Sequence, residues 1–326
     1  GYYVPENVVT NNDLTKFMDT SDEWIQERTG IKERRWIDPK SGETTSTMGA
    51  KAAEIAIERS GLTKNDIDFI VFATLSPDMY FPGGGVRVQD ILEMPTIGAL
   101  DVRNQCTGFI YAMSVADQFI KTGMYKNILV IGAENHSGGL DKSTRGRNVS
   151  VIFGDGAGAA VLSQTEDNHK GILSSHLHSE GKHAKELALE GPSTGHWVDE
   201  IIEKNDADDI SYYPYMNGQF VFKHAVVRFS EAIVEGLKAN NLQKEDIDML
   251  IPHQANLRIA QFIQKKFQLA DDKVYNNIMK YGNTTAASVI IALTEAWEKG
   301  KIEDNDLVVL AAFGSGFTWG SVVIRW

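Results

Sequence analysis

The chain has 326 residues, 42% of them hydrophobic and 23% charged, which is typical of a folded globular protein with room for two domains and argues against a disordered chain. Its 44 acidic residues exceed its 32 basic residues, giving a net charge of −12. This excess argues against nucleic acid as a partner, because Lys and Arg are what bind a phosphate backbone, and any acidic partner must meet a local basic patch.

Two further features concern the compartment in which the protein works. No hydrophobic run reaches the ~18 residues of a membrane span, and the opening residues GYYVPENVV have neither the basic flank nor the hydrophobic core of a signal peptide. Cys106 is the single cysteine, so the chain makes neither an intrachain disulfide nor a cysteine-rich zinc site. We therefore expect a cytoplasmic protein that does not bind a membrane.

Three pairs of segments, each about 180 residues apart, carry similar patterns in the same order along the chain. The first pair shares an Asp-Ile-Asp triplet, the second is a β-branched run typical of a buried strand, and the third is a helical pattern. The pairs are 61–72 with 241–252, 127–134 with 305–314, and the segment beginning at Cys106 with the one beginning at Asn283. We predict an internal duplication that divides the chain into two α/β halves, 1–165 and 166–326.

Cys106 follows the strand-like run TIGALDV and directly precedes the helical pattern of the first half. This order predicts a turn between a strand and a helix, with the cysteine at the start of the helix. The partial positive charge and unpaired N–H groups of a helix N-terminus favour a thiolate, which is the nucleophilic form. A lone cysteine is ordinarily buried and inert, so the pattern leaves two interpretations open, a structural side chain and a nucleophile.

Three polar residues of the second half lie at comparable junctions. His253 directly follows a buried strand that Pro252 ends, so its imidazole is expected at the edge of a sheet, although a core histidine also fits. Asn283 precedes a helical pattern, where it is either functional or a simple N-cap. Glycines flank Ser315 in FGSGFTWGS, and they allow the backbone to approach a ligand closely and present an N–H group to it.

Together these segments resemble β-ketoacyl-acyl carrier protein synthase III of the thiolase superfamily. The resemblance extends over nearly the whole chain and rests on DTSDEWIQERTGIKERR, DVRNQCTGFIYAMSVAD, FGDGAGAAVL, PHQANLRI, YGNTTAAS and FGSGFTWGS. It implies an α/β protein with a five-layered αβαβα fold built from two duplicated halves. It also implies a homodimer, with Cys106, His253 and Asn283 meeting where the halves join.

The resemblance further implies a decarboxylative condensation that starts fatty-acid synthesis. An acetyl or other short acyl group would pass from acyl-CoA to Cys106, and malonyl-acyl carrier protein would then lose carbon dioxide and attack it. His253 Nε2 and Asn283 Nδ2 would stabilise the enolate oxygen. The backbone N–H groups of Cys106 and Ser315 would bind the acyl carbonyl oxygen. Coenzyme A enters as a thioester substrate, and no metal or other cofactor is expected.

Residues on the approach to the site are also implied by the resemblance. Aromatic stacking and positive charge would hold the adenine and phosphates of coenzyme A, and two further residues would line the tunnel for its pantetheine arm. These positions are Trp24, Arg28 and Arg145 for coenzyme A, Phe222 and Asn256 for the tunnel, and Phe81 for the acyl pocket of the partner subunit. Without the resemblance, Trp24 would be interpreted as helix packing and Arg145 as a solvated charge.

Basic residues in LRIAQFIQKKFQ suggest where an acidic carrier protein docks. Arg258 and Lys265 are seven residues apart and so share one face of a helix, with Lys266 beside them. The hydrophobic residues of the segment, Phe262 among them, are expected to point elsewhere. With Lys223, these residues would form a basic patch on an otherwise acidic protein. The alternative is an ordinary amphipathic helix.

Two other motifs carry less weight. GDGAGAA at 154–160 resembles a dinucleotide-binding fingerprint, but the AAVL that follows is strand-like and too short to open the required helix. His176 and His178 lie two residues apart on one face of a predicted strand, without a carboxylate or third ligand at a recognised spacing. We therefore predict neither a nucleotide site nor a zinc site.

Two departures from the family pattern concern the substrate pocket. Asn104-Gln105 precede the cysteine where small residues are common, and Gln219 stands where Asn is common. Since both could reshape the pocket, the reaction is better defined than the primer. The alternative is a relative in a specialised pathway that joins longer acyl or β-ketoacyl chains, as in alkylresorcinol- or polyketide-like products.

Two other classes of protein are less well supported by the sequence. An acyltransferase or thioesterase would acylate Cys106 without forming a carbon–carbon bond, and it would not need both His253 and Asn283. A nonenzymatic binding module would not need a cysteine, a histidine and an asparagine on three separate turns. The sequence therefore favours a condensing enzyme.

Overall fold

The computed structural model describes residues 1–195 and 209–326 of the chain. The strands are β1 (Tyr2–Tyr3), β2 (Val8–Thr10), β3 (Glu33–Arg35), β4 (Phe69–Ala73), β5 (Gly98–Val102), β6 (Asn127–Glu134), β7 (Gly156–Ser163), β8 (Gly171–Ser179), β9 (Leu187–Ala188), β10 (Tyr215–Met216), β11 (Met249–Pro252), β12 (Leu307–Gly314) and β13 (Thr318–Arg325). The helices are α1 (Asn11–Leu14), α2 (Asp22–Thr29), α3 (Thr45–Ser60), α4 (Gly84–Ile91), α5 (Gly108–Lys121), α6 (Arg147–Ser150), α7 (Gly218–Ala239), α8 (Leu257–Phe267), α9 (Ile278–Tyr281) and α10 (Ala287–Glu298).

Two larger sheets follow one another along the chain. The first has the strand order β1-β7-β6-β4-β5, and the second has the order β11-β12-β13-β8. The chain passes from the first sheet to the second between Ser163 and Gly171. Strands β6 and β12 are buried along nearly their whole length, as their continuous hydrophobic runs predict for strands covered on both faces.

The two sheets repeat one topology, which confirms the predicted duplication. The strands formed by the repeated segments pair in parallel in each sheet, β4 with β6 and β11 with β12. The next two strands are antiparallel in each, β7 and β1 in the first sheet and β13 and β8 in the second. The repeated segments found in the sequence form β4 and β11, β6 and β12, and α5 and α10.

Helices α5 and α10 lie between the two sheets and contact strands of both. Their hydrophobic side chains form the central core together with inward-facing residues of each sheet, such as Val130 on β6 and Leu310 on β12. Helices α3 and α4 cover the outer face of the first sheet, and α7 and α8 cover that of the second. The layers therefore run αβαβα, which confirms the fold that the family resemblance implies.

Helix α3 shows how local sequence sets these boundaries. Thr44 and Thr47 form a capping box at its start, and Gly61, at φ +73°, ends it in the left-handed conformation. Small residues on its buried face allow close packing on β6 and β7. Across residues 1–195 and 209–326, no helix combines the length and hydrophobicity that crossing a membrane requires.

Candidate active site

Cys106 lies in the turn between β5 and α5, as the sequence predicts. A short 3₁₀ turn spans Gln105–Thr107, and Gln105 itself adopts a left-handed backbone with φ +46°. The Thr107 hydroxyl is 2.8 Å from the Thr318 hydroxyl, which ties the turn to β13 of the second half. Cys106 is 8% exposed, so little of its surface meets solvent.

One pocket of about 130 Å³ at the junction of the halves is lined by Cys106, His253 and Asn283. The three side chains come from three separate turns, after β5, after β11 and before α10. The rest of the lining is mostly hydrophobic and includes Phe222 and Asn256, the two residues assigned to the pantetheine tunnel. Gln219 is exposed on the first turn of α7, next to Gly218, which lines the pocket.

The hydrogen bonds of His253 determine which nitrogen carries its proton. Nδ1 is 2.5 Å from the Ser288 hydroxyl, and that hydroxyl oxygen already accepts the backbone N–H of Gln254 at 3.3 Å. The described residues give the Ser288 hydrogen no other acceptor, so we assign it to Nδ1 and place the imidazole proton on Nε2. Within the described residues Nε2 is buried without a hydrogen-bond partner, so it is available to a ligand in the pocket.

Burial lowers the pKa of His253 to about 3, because a charged imidazolium would be poorly solvated in the pocket. The side chain is therefore neutral at physiological pH. A neutral imidazole with its proton on Nε2 is a hydrogen-bond donor toward the pocket.

Asn283 is held by its neighbours with its amide oriented. Its backbone N–H donates to Ile152 O at 2.8 Å, and its carbonyl accepts from Gly154 N at 3.1 Å. The side-chain Oδ1 accepts the backbone N–H of Thr285 at 2.8 Å, so Nδ2 is the end of the amide that remains for a ligand. The N-cap of α10 is Ala286, and the interpretation of Asn283 as the cap of this helix is therefore wrong.

The predicted preference of Cys106 for the thiolate is not seen in the resting protein. Burial, together with the negative charge of Glu134, raises the pKa of the thiol to about 12. Hydrogen bonds from the backbone N–H groups of Cys106 and Ser315 and from the Thr285 hydroxyl act in the opposite direction. The cost of removing the sulfur from water outweighs the favourable position at a helix start, which sequence alone does not reveal.

Gly314 and Ser315 bring the end of β12 against Cys106. A side chain at Gly314 would put its Cβ 2.6 Å from Cys106 Cβ and 3.1 Å from the sulfur, so only glycine fits here. The Ser315 hydroxyl donates to Leu187 O, while its backbone N–H acts to lower the pKa of the Cys106 thiol. Two backbone N–H groups, those of Cys106 and Ser315, thus converge beside the thiol.

Near the pocket, Trp24 on α2 is covered by two arginines. The Arg28 guanidinium lies 4.4 Å from the centre of its ring, and that of Arg147 lies 4.9 Å from it. The Asn256 amide joins this group to α8, since its Nδ2 donates to Arg28 O at 3.0 Å. The sequence analysis missed Arg147, although the segment STRGR carries it two residues after Arg145.

Arg145 lies elsewhere in this region. It pairs with Asp141 at 2.7 Å and lies over the Tyr213 ring, 5.2 Å from its centre. The structure therefore places Arg147, rather than Arg145, over the ring of Trp24. The positive charge of Arg145 remains on the same side of the protein, on the 3₁₀ turn that precedes α6.

The predicted docking residues are exposed on two neighbouring helices. Lys223 lies on α7, and Arg258, Lys265 and Lys266 lie on α8, which packs against α7. Phe262 is 45% exposed, so the expectation that it points away from this face is wrong. Positions 258, 262 and 265 follow helical spacing, and they put the phenyl ring between the two charges. We call Lys223, Arg258, Phe262, Lys265 and Lys266 the α7–α8 patch.

Phe81 and the two histidines of β8 complete the predicted residues. Phe81 is 85% exposed in the loop before α4. His176 and His178 both face Glu235, at 3.5 Å and 2.5 Å. In the part of the chain that the structure describes, no group of three or more His, Cys, Asp or Glu is placed to hold a metal ion.

Two polar residues near Cys106 were missed by the sequence analysis. Glu134, at the end of β6, is fully buried and accepts hydrogen bonds from Ser76 Oγ at 2.5 Å and from Ala286 N at 3.4 Å. Burial raises its pKa to about 7. Thr285, at φ +49°, has its hydroxyl 2.6 Å from His136 Nε2. In the sequence, the only indication of either residue is that the hydrophobic run NILVIGAE ends in an acidic residue, Glu134.

Sequence models of one family match this chain in two regions. The model described as 3-oxoacyl-[acyl-carrier-protein (ACP)] synthase III matches residues 100–181, which contain Cys106. The model described as the C-terminal part of this synthase matches residues 237–326, which contain His253 and Asn283.

Individual proteins are similar over the full length of the chain. A beta-ketoacyl-[acyl-carrier-protein] synthase III of Caldanaerobacter subterraneus subsp. tengcongensis is 47% identical and covers 100% of this chain and 96% of that protein. The crystal structure of 3-oxoacyl-[acyl-carrier-protein] synthase III from Aquifex aeolicus VF5 matches with a TM-score of 0.90 at 41% identity. The match covers 100% of this chain and 98% of that one. The crystal structure of the priming beta-ketosynthase from the R1128 polyketide biosynthetic pathway matches with a TM-score of 0.89 at 29% identity. That match covers 100% of this chain and 94% of the ketosynthase.

Proposed function

Because the chain belongs to the 3-oxoacyl-[acyl-carrier-protein] synthase III family, we propose that it condenses an acyl-CoA primer with malonyl-acyl carrier protein and so begins fatty-acid synthesis. One observation carries the proposal. Cys106, His253 and Asn283 line a single pocket, and the buried Nε2 of His253 faces it without a partner among the described residues. Such an arrangement supplies one nucleophile and two uncharged donors for a developing oxyanion.

The first half-reaction transfers the acyl group to Cys106. Its sulfur attacks the thioester carbonyl of acyl-CoA, a new C–S bond forms, and the bond to the coenzyme A sulfur breaks. The proton lost by the Cys106 thiol balances the one that the released coenzyme A gains. The N–H groups of Cys106 and Ser315 converge beside the sulfur, where they stabilise the carbonyl oxygen as it becomes negative.

The second half-reaction forms the carbon–carbon bond. The malonyl carboxylate leaves as carbon dioxide, and its electron pair generates an enolate at the thioester. His253 Nε2–H and Asn283 Nδ2–H donate to the enolate oxygen, and neither group adds a charge. The enolate carbon then attacks the acyl-Cys106 carbonyl, the C–S bond breaks, and the thiolate of Cys106 takes up a proton from water.

Coenzyme A is the substrate carrier in this proposal, and the side chains of the chain perform the chemistry without a metal or other cofactor. Trp24, Arg28 and Arg147 form an aromatic and cationic surface suited to an adenine ring and phosphates. Since both guanidinium groups lie over the indole, an adenine that stacks on Trp24 displaces one of them.

Dialysis against a metal chelator is expected to leave the condensation rate unchanged, and loss of activity would refute the metal-free mechanism.

Intact-mass measurement tests the function and its alternatives. After incubation with a series of acyl-CoAs, we expect a mass gain with acetyl to butyryl groups and formation of β-ketoacyl product once malonyl-carrier protein is added. Labelling only by octanoyl or longer groups would favour the specialised-pathway alternative, toward which the similarity to a priming polyketide ketosynthase points. Acylated protein that only hydrolyses would favour an acyltransferase or thioesterase.

The α7–α8 patch is our proposed docking surface for the carrier protein. Its four cations are exposed, and within the described residues none of them forms an ion pair. The exposed ring of Phe262 adds a hydrophobic contact at the centre. On a chain with net charge −12, such a local patch overcomes the general repulsion toward an acidic partner.

Reversing two charges of the patch should weaken carrier docking specifically. In the double variant R258E/K265E, the KM for malonyl-carrier protein is expected to rise on the order of tenfold at low salt, and the effect should shrink at high salt. Acylation by small acyl-CoAs should be nearly unchanged. The variant K126E/K301E makes the same charge change at two exposed lysines elsewhere and should leave KM unaltered. If acylation and the reaction with malonyl-carrier protein were slowed equally, the docking surface would lie on another face.

We also propose that the protein is a homodimer formed through β5. This strand is the edge of the first sheet in the described residues, and Leu100 on it is 39% exposed. Tyr80 and Phe81, which are 64% and 85% exposed, lie in the loop just before α4. An unpaired strand edge with exposed hydrophobic side chains favours pairing with a second copy, and Phe81 would then enter the acyl pocket of the partner subunit.

A charge on β5 should break this dimer. Leu100→Asp is expected to raise the dimer dissociation constant about tenfold or more, because a carboxylate would be buried at the interface. Sedimentation velocity measures the change. Met124→Asp introduces the same charge at another exposed hydrophobic residue and serves as the control. A wild-type protein that sediments as a monomer at micromolar concentration would rule out the dimer.

The cytoplasm is the compartment we propose. Cys106 is a free thiol, and a reducing compartment keeps such a nucleophile from oxidation. Cell fractionation with detection of the protein checks this assignment, and recovery in an oxidising compartment would contradict it.

A further inference from the structure

Ser315 carries a hydroxyl group that takes no part in the proposed reaction, in which only its backbone N–H acts. The residue is half-buried in the turn between β12 and β13, and its neighbour Gly314 packs against Cys106. The Ser315 hydroxyl donates to the carbonyl oxygen of Leu187 on β9. The side chain therefore links the turn beside the nucleophile to a segment more than a hundred residues away.

Strands β9 and β10 form a small sheet of their own, which we call the β9–β10 ribbon. Leu187 pairs with Met216 and Ala188 with Tyr215, and in the described residues neither strand pairs with a larger sheet. The side chains of Leu187 and Met216 line the pocket that contains Cys106. The ribbon is thus one wall of this pocket, and its position sets part of the pocket's width.

The turn that bears Ser315 is itself firmly held against the nucleophile. The Thr318 hydroxyl donates to Ser315 O at 3.0 Å and lies 2.8 Å from the hydroxyl of Thr107, the residue after Cys106. Gly314 packs so closely that an added Cβ would lie 2.6 Å from Cys106 Cβ. The Ser315 hydroxyl therefore reaches the ribbon from a fixed base.

We propose that Ser315 is a positioning residue, whose hydroxyl holds the β9–β10 ribbon close to Cys106 and so limits the size of the acyl group that this cysteine accepts. A ribbon of two residue pairs has little stability of its own, so one hydrogen bond from outside matters. Without this bond the wall recedes, and the pocket of about 130 Å³ widens. The proposal rests on the proposed function in taking the acyl primer as the group that fills the pocket.

Alkylation of Cys106 by reagents of two sizes measures the pocket width without any acyl-CoA, because the chain has one cysteine. The reagents are iodoacetamide and its bulkier N-phenyl derivative, and intact mass follows both reactions. A change in thiol reactivity alters both rates by one factor, so their ratio reports the space around the sulfur. In Ser315→Ala we expect the ratio of the bulky to the small reagent to rise about fivefold, the effect of losing one hydrogen bond on the population of a displaced ribbon.

The choice of primer should change in the same direction. The ratio of kcat/KM for hexanoyl-CoA to that for acetyl-CoA is expected to rise about fivefold in Ser315→Ala, for the same reason. Malonyl decarboxylation should stay near the wild-type rate, because the variant retains His253, Asn283 and their hydrogen bonds. A protein that forms no β-ketoacyl product would refute the proposed function, and the reagent ratio would still test the role of Ser315.

Two further variants separate positioning from general damage. Ser315→Thr keeps the hydroxyl and should restore both ratios to near the wild-type values. Ser60→Ala is the matched control, since it removes a hydroxyl that donates to Ile57 O at 2.7 Å on α3, and both ratios should be unchanged. Hydrogen exchange of the peptides that contain Leu187 and Met216 should be faster in Ser315→Ala and normal in Ser315→Thr.

Two results would overturn the proposal. One is an unchanged reagent ratio in folded Ser315→Ala protein, which would mean that the ribbon keeps its place without the hydroxyl. The other is a threonine variant that behaves like the alanine variant, because the hydroxyl would then not be the group that matters. Should the alanine variant fail to fold, Ser315→Gly removes the same hydroxyl and is measured in its place.

Discussion

Cys106→Ala is expected to abolish both acylation of the protein and condensation, while slow decarboxylation of malonyl-carrier protein continues. Acylation is lost because the variant has no other cysteine to carry the acyl group. Decarboxylation continues because His253 Nε2 and Asn283 Nδ2 keep their supports, Ser288 and the Thr285 N–H. Alanine retains the Cβ that packs against Gly314, so the turn itself should be undisturbed.

Two assays on this variant separate the half-reactions. Mass spectrometry after incubation with acyl-CoA should show no mass gain, against one acyl group per chain in the wild type. Release of carbon dioxide from malonyl-carrier protein should remain measurable above the rate in buffer. A variant that still gains the acyl mass would show that another residue is the acyl carrier.

Removal of the enolate donors is expected to have the second large effect. His253→Ala should lower the decarboxylation rate by about 10²–10³, the usual effect of losing one oxyanion donor. Asn283→Asp should be at least as damaging, because it replaces a donor by a negative charge that faces the developing anion. Acylation of Cys106 should survive in His253→Ala, since the N–H groups beside the sulfur are unchanged.

Carbon dioxide release and acyl-protein mass again distinguish the steps. His169→Ala changes an exposed histidine far from the pocket and should behave as the wild type in both assays. The role given to His253 would be wrong if its alanine variant decarboxylated at the normal rate, or if acylation and decarboxylation fell by the same factor.

The lowered pKa of His253 gives the same assay a pH signature. With a folded pKa of about 3, the imidazole stays neutral on the basic side of that value, so decarboxylation by Cys106→Ala should be flat between about pH 5 and pH 8. The Cys106 thiol, in contrast, loses its proton only at high pH. Since its pKa is raised to about 12, the acylation rate should climb with pH through this range without a plateau. A decarboxylation rate that falls below about pH 6.5 would indicate a histidine with an ordinary pKa.

Much of the fold was predictable because local sequence patterns determine where its strands and helices lie. The Asp-Ile-Asp repeat predicts that β4 and β11 are equivalent strands of the two halves, and the paired β-branched runs predict the same for β6 and β12. The junctions of strands and helices likewise placed Cys106 and His253 at the ends of elements. Such features depend on residues close in sequence, and short-range patterns determine them.

What could not be predicted depends on contacts between distant segments. The burial that raises the pKa of Cys106 depends on β12, far along the chain, where Gly314 packs against the cysteine. Arg147 reaches Trp24 across more than a hundred residues. Phe262 is a different case, because the sequence analysis expected it to point away from its basic neighbours, although helical spacing alone puts it on their face.

The contact of Gly314 with Cys106, and of Thr318 with Thr107, has a consequence for synthesis of the chain on the ribosome. The turn that bears the thiol is translated well before Gly314 and Thr318, the residues that pack against it. Domains tend to fold as units while translation proceeds, with the N-terminal part first. On the nascent chain, the turn therefore lacks its contacts with Gly314 and Thr318 until β12 and β13 have been released from the ribosome.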